Sequence, residues 1–131
     1  MNIDIGRAGD FIAAAALSRM GVQNVISNQA GFDLVAFIPQ PMRIEVKTAS
    51  KTTLDQKNVF RFQTSRGSKR KIMLNSQAAD VVCLVSLTHR CCVFLPIEEI
   101  TSPTTRIPVS HFTPREETSS WLKTLNYFKE K

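Results

Sequence analysis

The chain has 131 residues, of which 43% are hydrophobic, and a formal net charge of +6. This length is typical of a single domain, here 1–131, and the apolar content is enough to bury a core. No stretch reaches the roughly 20 consecutive apolar residues of a membrane span. The N-terminus lacks a basic segment followed by an apolar one, so no signal peptide is predicted and we expect a cytoplasmic protein without a membrane partner.

The three cysteines, Cys83, Cys91 and Cys92, fit an intracellular setting. An odd count without paired Cys-x-x-Cys spacing argues against a disulfide framework and against a zinc site. Cys83 and Cys91 are predicted to face each other across neighbouring strands. All three are interpreted as small buried hydrophobic side chains.

The first predicted element is a helix over residues 7–20, RAGDFIAAAALSRM, because the alanine run has high helix propensity. Gly21 suits the position just past its end. Apolar residues nearly encircle the helix, which predicts that it is largely buried. A strand is predicted next, over residues 22–28.

The segment 31–48, GFDLVAFIPQPMRIEVKT, reads as two strands around a proline-marked turn, yet it contains Asp33, Glu45 and Lys47. These residue types are poor in strands, and carboxylates are costly to bury. A turn centred near residue 40 places Asp33 opposite Lys47 and Val35 opposite Glu45, with the three charged groups on one face within roughly 5–8 Å. The other face is apolar and is expected to pack on the N-terminal helix, because a one-residue slip would turn charges into the core.

The remaining elements follow from local patterns. Residues 58–63 alternate as a strand with Phe60 and Phe62 on one face and Arg61 and Gln63 on the other. An exposed turn is predicted at 64–71 and a short helical piece at 74–79. The next segment predicts a buried hairpin with strands 80–87 and 91–97. An irregular proline-rich segment follows, and a final helix is predicted from 114 to about 128. Thr113-Pro114-Arg115-Glu116 resembles a capping box with proline at the first helical position.

This order of elements predicts a mixed α/β domain with a central sheet. Its basic residues are concentrated in one segment, 51–71, which has seven lysines and arginines and one acid, whereas the rest of the chain is balanced. A basic patch of this kind suggests a polyanion partner, most often nucleic acid, although a solvated loop is the plainer explanation. The predicted nucleic-acid-binding residues are Lys51, Lys57, Arg61, Arg66, Lys69, Arg70 and Lys71.

Two explanations suit the three charges in the hairpin. Lys47 can form a cross-strand ion pair on a solvated sheet face. Alternatively, Asp33 and Glu45 bind a divalent cation such as Mg²⁺, which takes oxygen ligands and uses one or two carboxylates with water and phosphate. A lysine beside such a site suits the attacking water or the charge that develops on a phosphate. The residues alone leave both explanations open.

Asp33 and Glu45-Val46-Lys47, with eleven residues between the two acids, resemble the PD-(D/E)xK nuclease signature. Gly31-Phe32-Asp33-Leu34-Val35 and Arg43-Ile44-Glu45-Val46-Lys47-Thr48 are similar to strands of the Holliday junction resolvase branch. Gly6-Arg7-Ala8-Gly9-Asp10, opening an alanine-rich helix, resembles that branch's first helix. The chain also resembles the small intron-encoded homing endonucleases of this superfamily. It departs from the family where Phe32 replaces the proline before Asp33 and where Asp10 stands in place of a glutamate.

The resemblance implies a restriction-endonuclease-like core over about 6–100, a central mixed β-sheet flanked by helices, and a C-terminal helix at about 114–129. It implies a Mg²⁺-dependent DNA endonuclease, with Mn²⁺ as an alternative metal. Asp33, Glu45 and the Val46 carbonyl would bind the metal, and Lys47 would act on the water and phosphate. Asp10 would support a second metal, unless it only complements the helix N-terminal dipole. Gln63 would touch the water or phosphate, unless it is a plain exposed strand residue.

The implied substrate is double-stranded or branched DNA. Because one small domain has one site and two cuts need two sites, a homodimer or homotetramer is expected. The alternative from another class is a nuclease-like fold that binds nucleic acid and cuts nothing. An RNA-binding module is disfavoured because no exposed aromatics cluster on one strand pair. A nucleophilic site built on His89 or His111 is disfavoured because no Ser or Cys partner is evident.

Overall fold

The computed structural model describes residues 4–27, 32–38, 40–51, 58–66 and 72–130. The helices are α1 (Ile5–Arg19) and α2 (Pro114–Lys129), and single 3₁₀ turns lie at Ile97–Glu99 and Val109–His111. The strands are β1 (Asn24–Ile26), β2 (Leu34–Phe37), β3 (Pro41–Ala49), β4 (Val59–Gln63), β5 (Ser65–Arg66), β6 (Ile72–Met73), β7 (Val81–Ser86), β8 (Cys91–Pro96) and β9 (Thr104–Pro108). Across these ranges no helix is long and apolar enough to cross a membrane.

A five-stranded sheet forms the centre of the molecule, in the order β1-β2-β3-β7-β8. Only the β3–β7 pair within this sheet is parallel, so the sheet is mixed, as expected. Residues of both helices pack together on one face of this sheet, in a core that includes Ala13, Leu17, Ile44 and Trp121. The other face is covered by a two-stranded ribbon of β4 and β9, whose Phe60 and Phe62 join a second core cluster.

Helix α1 begins at a cap that the sequence pattern did not single out. The Asp4 side chain accepts a hydrogen bond from Arg7 N at 3.0 Å, which satisfies one of the free N–H groups of the first turn. Gly21 follows the helix with φ +78°, as predicted for a residue just past the end. The helix buries only one stripe, Gly9, Ala13, Ala16 and Leu17. The expectation that the helix is largely buried was wrong, and Phe11 remains 52% exposed beneath the Arg7 guanidinium.

The hairpin of β2 and β3 keeps the predicted faces but not the predicted pairs. Phe37 pairs with Pro41 and Val35 with Arg43. The pairing is therefore centred one residue earlier than predicted, which shifts every cross-strand pair by two residues and leaves odd residues opposite odd residues. The predicted pairs of Asp33 with Lys47 and Val35 with Glu45 are wrong. The physical reason is that Pro41 begins β3, at the first strand position where a proline is tolerated, and does not belong to the turn.

Strands β7 and β8 form the buried hairpin that the apolar run predicts. Every residue of β7 is buried, and it lies between β3 and β8 in the sheet. The cysteines are free and buried, as expected of small hydrophobes. However, Cys83 pairs with Phe94 and Cys91 with Ser86, so the predicted facing of Cys83 and Cys91 was wrong. The four-residue turn at 87–90 sets this register.

Three local predictions in the second half of the chain were wrong. Residues 74–79 contain a turn and no helix, and the guanidinium of the distant Arg43 donates to the carbonyls of Ser76 and Gln77. The predicted exposed turn at 64–71 was wrong for Thr64 and Ser65, which are buried, and residues 67–71 lie outside the described ranges. The proline-rich segment contains strand β9, which pairs with β4 along its length. In each case a partner distant in the sequence decides the structure.

Helix α2 begins where the capping pattern predicts. Thr113 Oγ1 accepts a hydrogen bond from Glu116 N at 3.2 Å, and Pro114 occupies the first turn. The buried Glu117 accepts from Cys92 N at 2.8 Å and pairs with Arg19 at 3.2 Å. Glu117 thus links both helices to the edge strand β8.

Candidate active site

The candidate site lies where β2 and β3 separate. Asp33 stands just before β2, and its N–H donates to the Ile44 carbonyl at 2.8 Å. Its side-chain Oδ2 accepts from Val46 N at 2.8 Å. The carboxylate therefore takes the place of the backbone carbonyl that β2 would have offered to β3. Because these two bonds bracket Glu45, Asp33 lies across from Glu45.

Glu45 and Lys47 project from β3 on the sheet face that carries Ala49, away from the helices. Glu45 is 8% exposed, although carboxylates are rarely buried unless they are paired. Lys47 Nζ lies 3.7 Å from Glu45 Oε1. This contact is a loose ion pair, and it places a cation beside the two carboxylates. Alternation along β3 thus places Glu45 and Lys47 on one face as predicted, whereas Asp33 stands before β2 and its carboxylate is held by the Val46 N–H.

Asp10, on helix α1, lies close enough to this site for the charges of Asp33 and Glu45 to act on it. Its pKa is raised from 3.8 to about 6, mainly because burial disfavours the charged form, and further because Asp33, Glu45 and Asp4 are negative. Because the negative charges of Asp33 and Glu45 both raise the pKa of Asp10, the three carboxylates interact electrostatically. The sequence pattern suggested this location only through resemblance, since Asp10 and Asp33 lie on different elements.

Close packing of α1 on β3 fixes the position of Asp10. A Cβ atom at Gly9 would overlap Thr48 Oγ1 and would lie 3.0 Å from Thr48 Cβ. Only glycine therefore lets the helix approach the strand at this point. Thr48 Oγ1 is buried and has no hydrogen-bond partner among the described residues. Sequence reasoning did not identify Gly9 and Thr48 as positioning residues, because nothing in the local pattern shows which residues meet across a helix–strand contact.

The carboxylates of Asp33 and Glu45 suit a divalent cation that retains part of its hydration shell. Within the described ranges, no three His, Cys, Asp and Glu side chains gather tightly enough to form a three-ligand cage. Mg²⁺ does not need such a cage, because it is usually bound through one or two carboxylates together with water and substrate phosphate. Asp33 and Glu45 are hard oxygen donors of this kind, and neither imidazole nor thiolate accompanies them. The chemistry of these residues therefore fits Mg²⁺ or Mn²⁺ better than zinc.

We expect Asp10→Asn to stabilise the metal-free protein at pH 8 by about 1 kcal/mol, a figure reduced for the partial exposure of the group. The raised pKa of Asp10 means that the folded protein binds its proton more tightly than the unfolded chain does. The contribution of Asp10 to the unfolding free energy therefore falls as the pH rises from 3.8 to about 6 and stays lower above that range. Urea unfolding in EDTA at pH 4 and pH 8 measures both variants.

The control for this prediction is Glu130→Gln, which removes an exposed carboxylate at the end of α2. It changes the net charge equally but lies outside the acidic cluster. If Asp10→Asn is no more stable than the wild type at pH 8, neither burial nor the charges of Asp33 and Glu45 disfavour the Asp10 carboxylate.

The structure does not bring every predicted site residue to this place. Gln63 is exposed on the outer face of β4 and lines a hollow with Arg61, Ser65, Pro103 and Thr104. Among the predicted DNA-binding residues, Lys51 and Arg61 are exposed. The side chain of Arg66 is not described, and Lys57, Lys69, Arg70 and Lys71 lie outside the described residues. A metal role for the Val46 carbonyl also stays a prediction.

No protein-family model matches the chain, and no curated protein matches it. A solved structure is similar to it, that of the bacterial homing endonuclease I-Ssp6803I. The TM-score is 0.71 at 14% sequence identity, and the match covers 97% of this chain and 95% of that chain. The similarity extends over the sheet, both helices and the ribbon, so the chain has the fold of that bacterial homing endonuclease, a central mixed sheet flanked by helices.

Proposed function

We propose that this chain is a metal-dependent DNA endonuclease that hydrolyses phosphodiester bonds. The observation that carries the proposal is the position of Asp33 across from Glu45, with Lys47 beside Glu45, where β2 and β3 separate. The charges of both carboxylates also act on Asp10. Two further features support the proposal. The chain has the fold of a bacterial homing endonuclease, and the spacing of Asp33, Glu45 and Lys47 resembles the PD-(D/E)xK signature.

In this proposal Asp33 and Glu45 hold Mg²⁺, or Mn²⁺ in its place, together with the Val46 carbonyl. The bound cation supplies a Lewis acid that activates water and neutralises charge on the phosphate. The hydrogen bond from Val46 N orients the Asp33 carboxylate through one oxygen, and in this proposal the other oxygen binds the cation. Asp10 adds negative charge next to the pair and supports a second cation.

Lys47 has a role that its own geometry suggests. Its ammonium lies beside Glu45, on the same strand and the same face. A phosphate that enters the site brings negative charge within reach of this ammonium, which can donate to the phosphate or to the attacking water. In a partly buried site such a charge stabilises the transition state more than it would in water.

A protein with this fold that binds nucleic acid without cutting it is the second candidate. The contact of Lys47 with Glu45 favours it, because an ion pair satisfies the carboxylate without a metal. The spacing of Asp33, Glu45 and Lys47 and the fold shared with a bacterial homing endonuclease favour the enzyme.

Incubation of supercoiled plasmid with the protein and Mg²⁺, with EDTA in a parallel reaction, separates the two candidates. The endonuclease predicts nicked and linear products in Mg²⁺ and none in EDTA. Binding that weakens steeply with salt but leaves the plasmid intact in Mg²⁺ and in Mn²⁺ would support the non-catalytic candidate. A panel of duplex, branched and single-stranded substrates then identifies the preferred DNA form.

Two cuts in a duplex or a junction require two sites of this kind, and each chain offers one. We therefore propose a homodimer or homotetramer as the working form. Light scattering of the purified protein, alone and with DNA, measures the number of chains.

A further inference from the structure

The β4–β9 ribbon has two chemically different faces. Toward the sheet, Phe60 and Phe62 are each 1% exposed and contact Phe112 with ring centroids 5.2 and 5.9 Å apart. Away from the sheet lie the alternate residues of both strands, namely Val59, Arg61, Gln63, Thr104, Arg106 and Pro108. The inner face thus fixes the ribbon to the core, and the outer face is left to solvent.

Two arginines stand directly opposite each other at the centre of the outer face. Arg61 pairs with Arg106 in the antiparallel register, and both are exposed. Like charges in such a pair are destabilising, because their Cβ atoms are roughly 5 Å apart. In the described part of the chain the ion pairs lie elsewhere, joining Arg19 to Glu117, Arg43 to Asp80 and Lys47 to Glu45. The ribbon therefore carries two positive charges without an acidic partner among the described residues, which suits an anionic ligand.

The neighbours of the arginines are hydrogen-bonding groups. Gln63 pairs with Thr104 at the end of the ribbon, and these residues line a hollow of about 610 Å³ with Arg61, Ser65 and Pro103. Arginine and glutamine are the side chains that bind the edges of guanine and adenine with two hydrogen bonds. A two-stranded β-ribbon also fits the major groove of B-form DNA, which is about 12 Å wide.

The ribbon is held rigidly at this end. Thr64 Oγ1 donates to the Ser102 carbonyl at 2.7 Å, and Thr64 N donates to the Pro103 carbonyl at 2.7 Å. These bonds tie the end of β4 to the segment that leads into β9. A fixed backbone is what base readout needs, because each side chain must meet one base pair.

The ribbon packs on the same face of the central sheet as the one that carries Glu45 and Lys47. Phe60 and Phe62 pack in the core cluster that contains Val82 and Leu84. Val82 lies beside Glu45 and Leu84 beside Lys47 in the sheet, on the same face. The ribbon and the candidate active site therefore share one side of the sheet, so that one duplex can contact both.

We propose that the outer face of the β4–β9 ribbon, through Arg61, Arg106 and Gln63, enters the DNA major groove and reads base pairs. This inference rests on the proposed function for its ligand, and it assigns sequence specificity to residues outside the cleavage site. It gives Gln63 a role in recognition in place of the predicted contact with water or phosphate. It adds Arg106, which the sequence placed in an irregular segment.

Binding-site selection from a random duplex library tests the proposal, with binding carried out in EDTA so that cleavage plays no part. The wild type is expected to select a site, and Arg106→Gln or Arg61→Gln to lose preference at individual base pairs within it. Affinity for the selected site should fall by on the order of 5- to 150-fold for each variant, while affinity for random duplex changes little. Lys129→Gln removes the same charge from the exposed end of α2 and is the matched control.

A uniform loss of affinity across all sequences would mean that the arginines contact phosphates only and would overturn base readout. Equal binding of A-form duplex RNA, whose major groove is too narrow for the ribbon, would overturn it as well. Cleavage of DNA by the wild type together with unchanged site preference in both arginine variants would refute this inference alone. A selected site that depends on Arg61 and Arg106, without any Mg²⁺-dependent cleavage, would refute the endonuclease alone.

Discussion

Asp33→Asn and Glu45→Gln are each expected to lower Mg²⁺-dependent DNA cleavage by on the order of 10³-fold. Each variant removes one anionic oxygen from the site where β2 and β3 separate while keeping the size of the side chain. An asparagine oxygen can still accept from Val46 N, so the local backbone should hold. Single-turnover cleavage rates in Mg²⁺, compared with thermal unfolding of the same samples, separate lost chemistry from lost folding.

The matched control is Glu116→Gln, an exposed carboxylate in the first turn of α2 that lies far from the site in the sequence. It should cut DNA at the wild-type rate. DNA affinity in EDTA should be unchanged or slightly raised in Asp33→Asn and Glu45→Gln, since each removes negative charge. Wild-type cleavage rates in both site variants would rule out Asp33 and Glu45 as metal ligands.

Gly9→Ala is expected to destabilise the protein by about 1–3 kcal/mol, although alanine has the higher helix propensity. Its methyl group would overlap Thr48 Oγ1, so α1 must move away from β3. The movement would also displace Asp10, which is the next residue, and should therefore lower cleavage. Urea unfolding of the metal-free protein measures the change in stability.

Gly6→Ala is the control in the same helix. The nearest atom to its added methyl group would be Asp4 Oδ1 at 3.8 Å, which is ordinary contact. Gly6→Ala should therefore stabilise the protein by about 0.5–1 kcal/mol through helix propensity. Thr48→Ala should restore part of the stability lost in Gly9→Ala, because it removes the overlapping oxygen. Equal effects of Gly6→Ala and Gly9→Ala would show that α1 does not approach β3 at Gly9.

Local patterns in the sequence correctly predicted many elements of the fold. Alternation along β3 placed Glu45 and Lys47 on one face and Ile44 on the helix side, whereas the predicted place of Asp33 depended on the length of the turn. The continuous apolar run of β7 predicted a strand covered on both faces, and the Thr113 cap predicted the start of α2. These features depend on residues that are close together in the chain.

The features that sequence reasoning missed depend on distant partners. Strand β9 forms because β4 offers it a complete register of pairs, despite the prolines around it. The exact pairs of the β2–β3 hairpin depend on whether Pro41 joins the strand or the turn, which alternation alone does not decide. Likewise, the closeness of Asp10 to Asp33 and Glu45 depends on the contact of Gly9 with Thr48.

The position of a bound Mn²⁺ tests the central claim most directly. Crystals of the protein soaked in Mn²⁺ and measured at the manganese absorption edge should show an anomalous peak between the carboxylates of Asp33 and Glu45, and Glu45→Gln crystals should show a weaker peak or none. A peak elsewhere, or an empty site with Lys47 still bound to Glu45 at high Mn²⁺, would contradict a metal-dependent active site at this position.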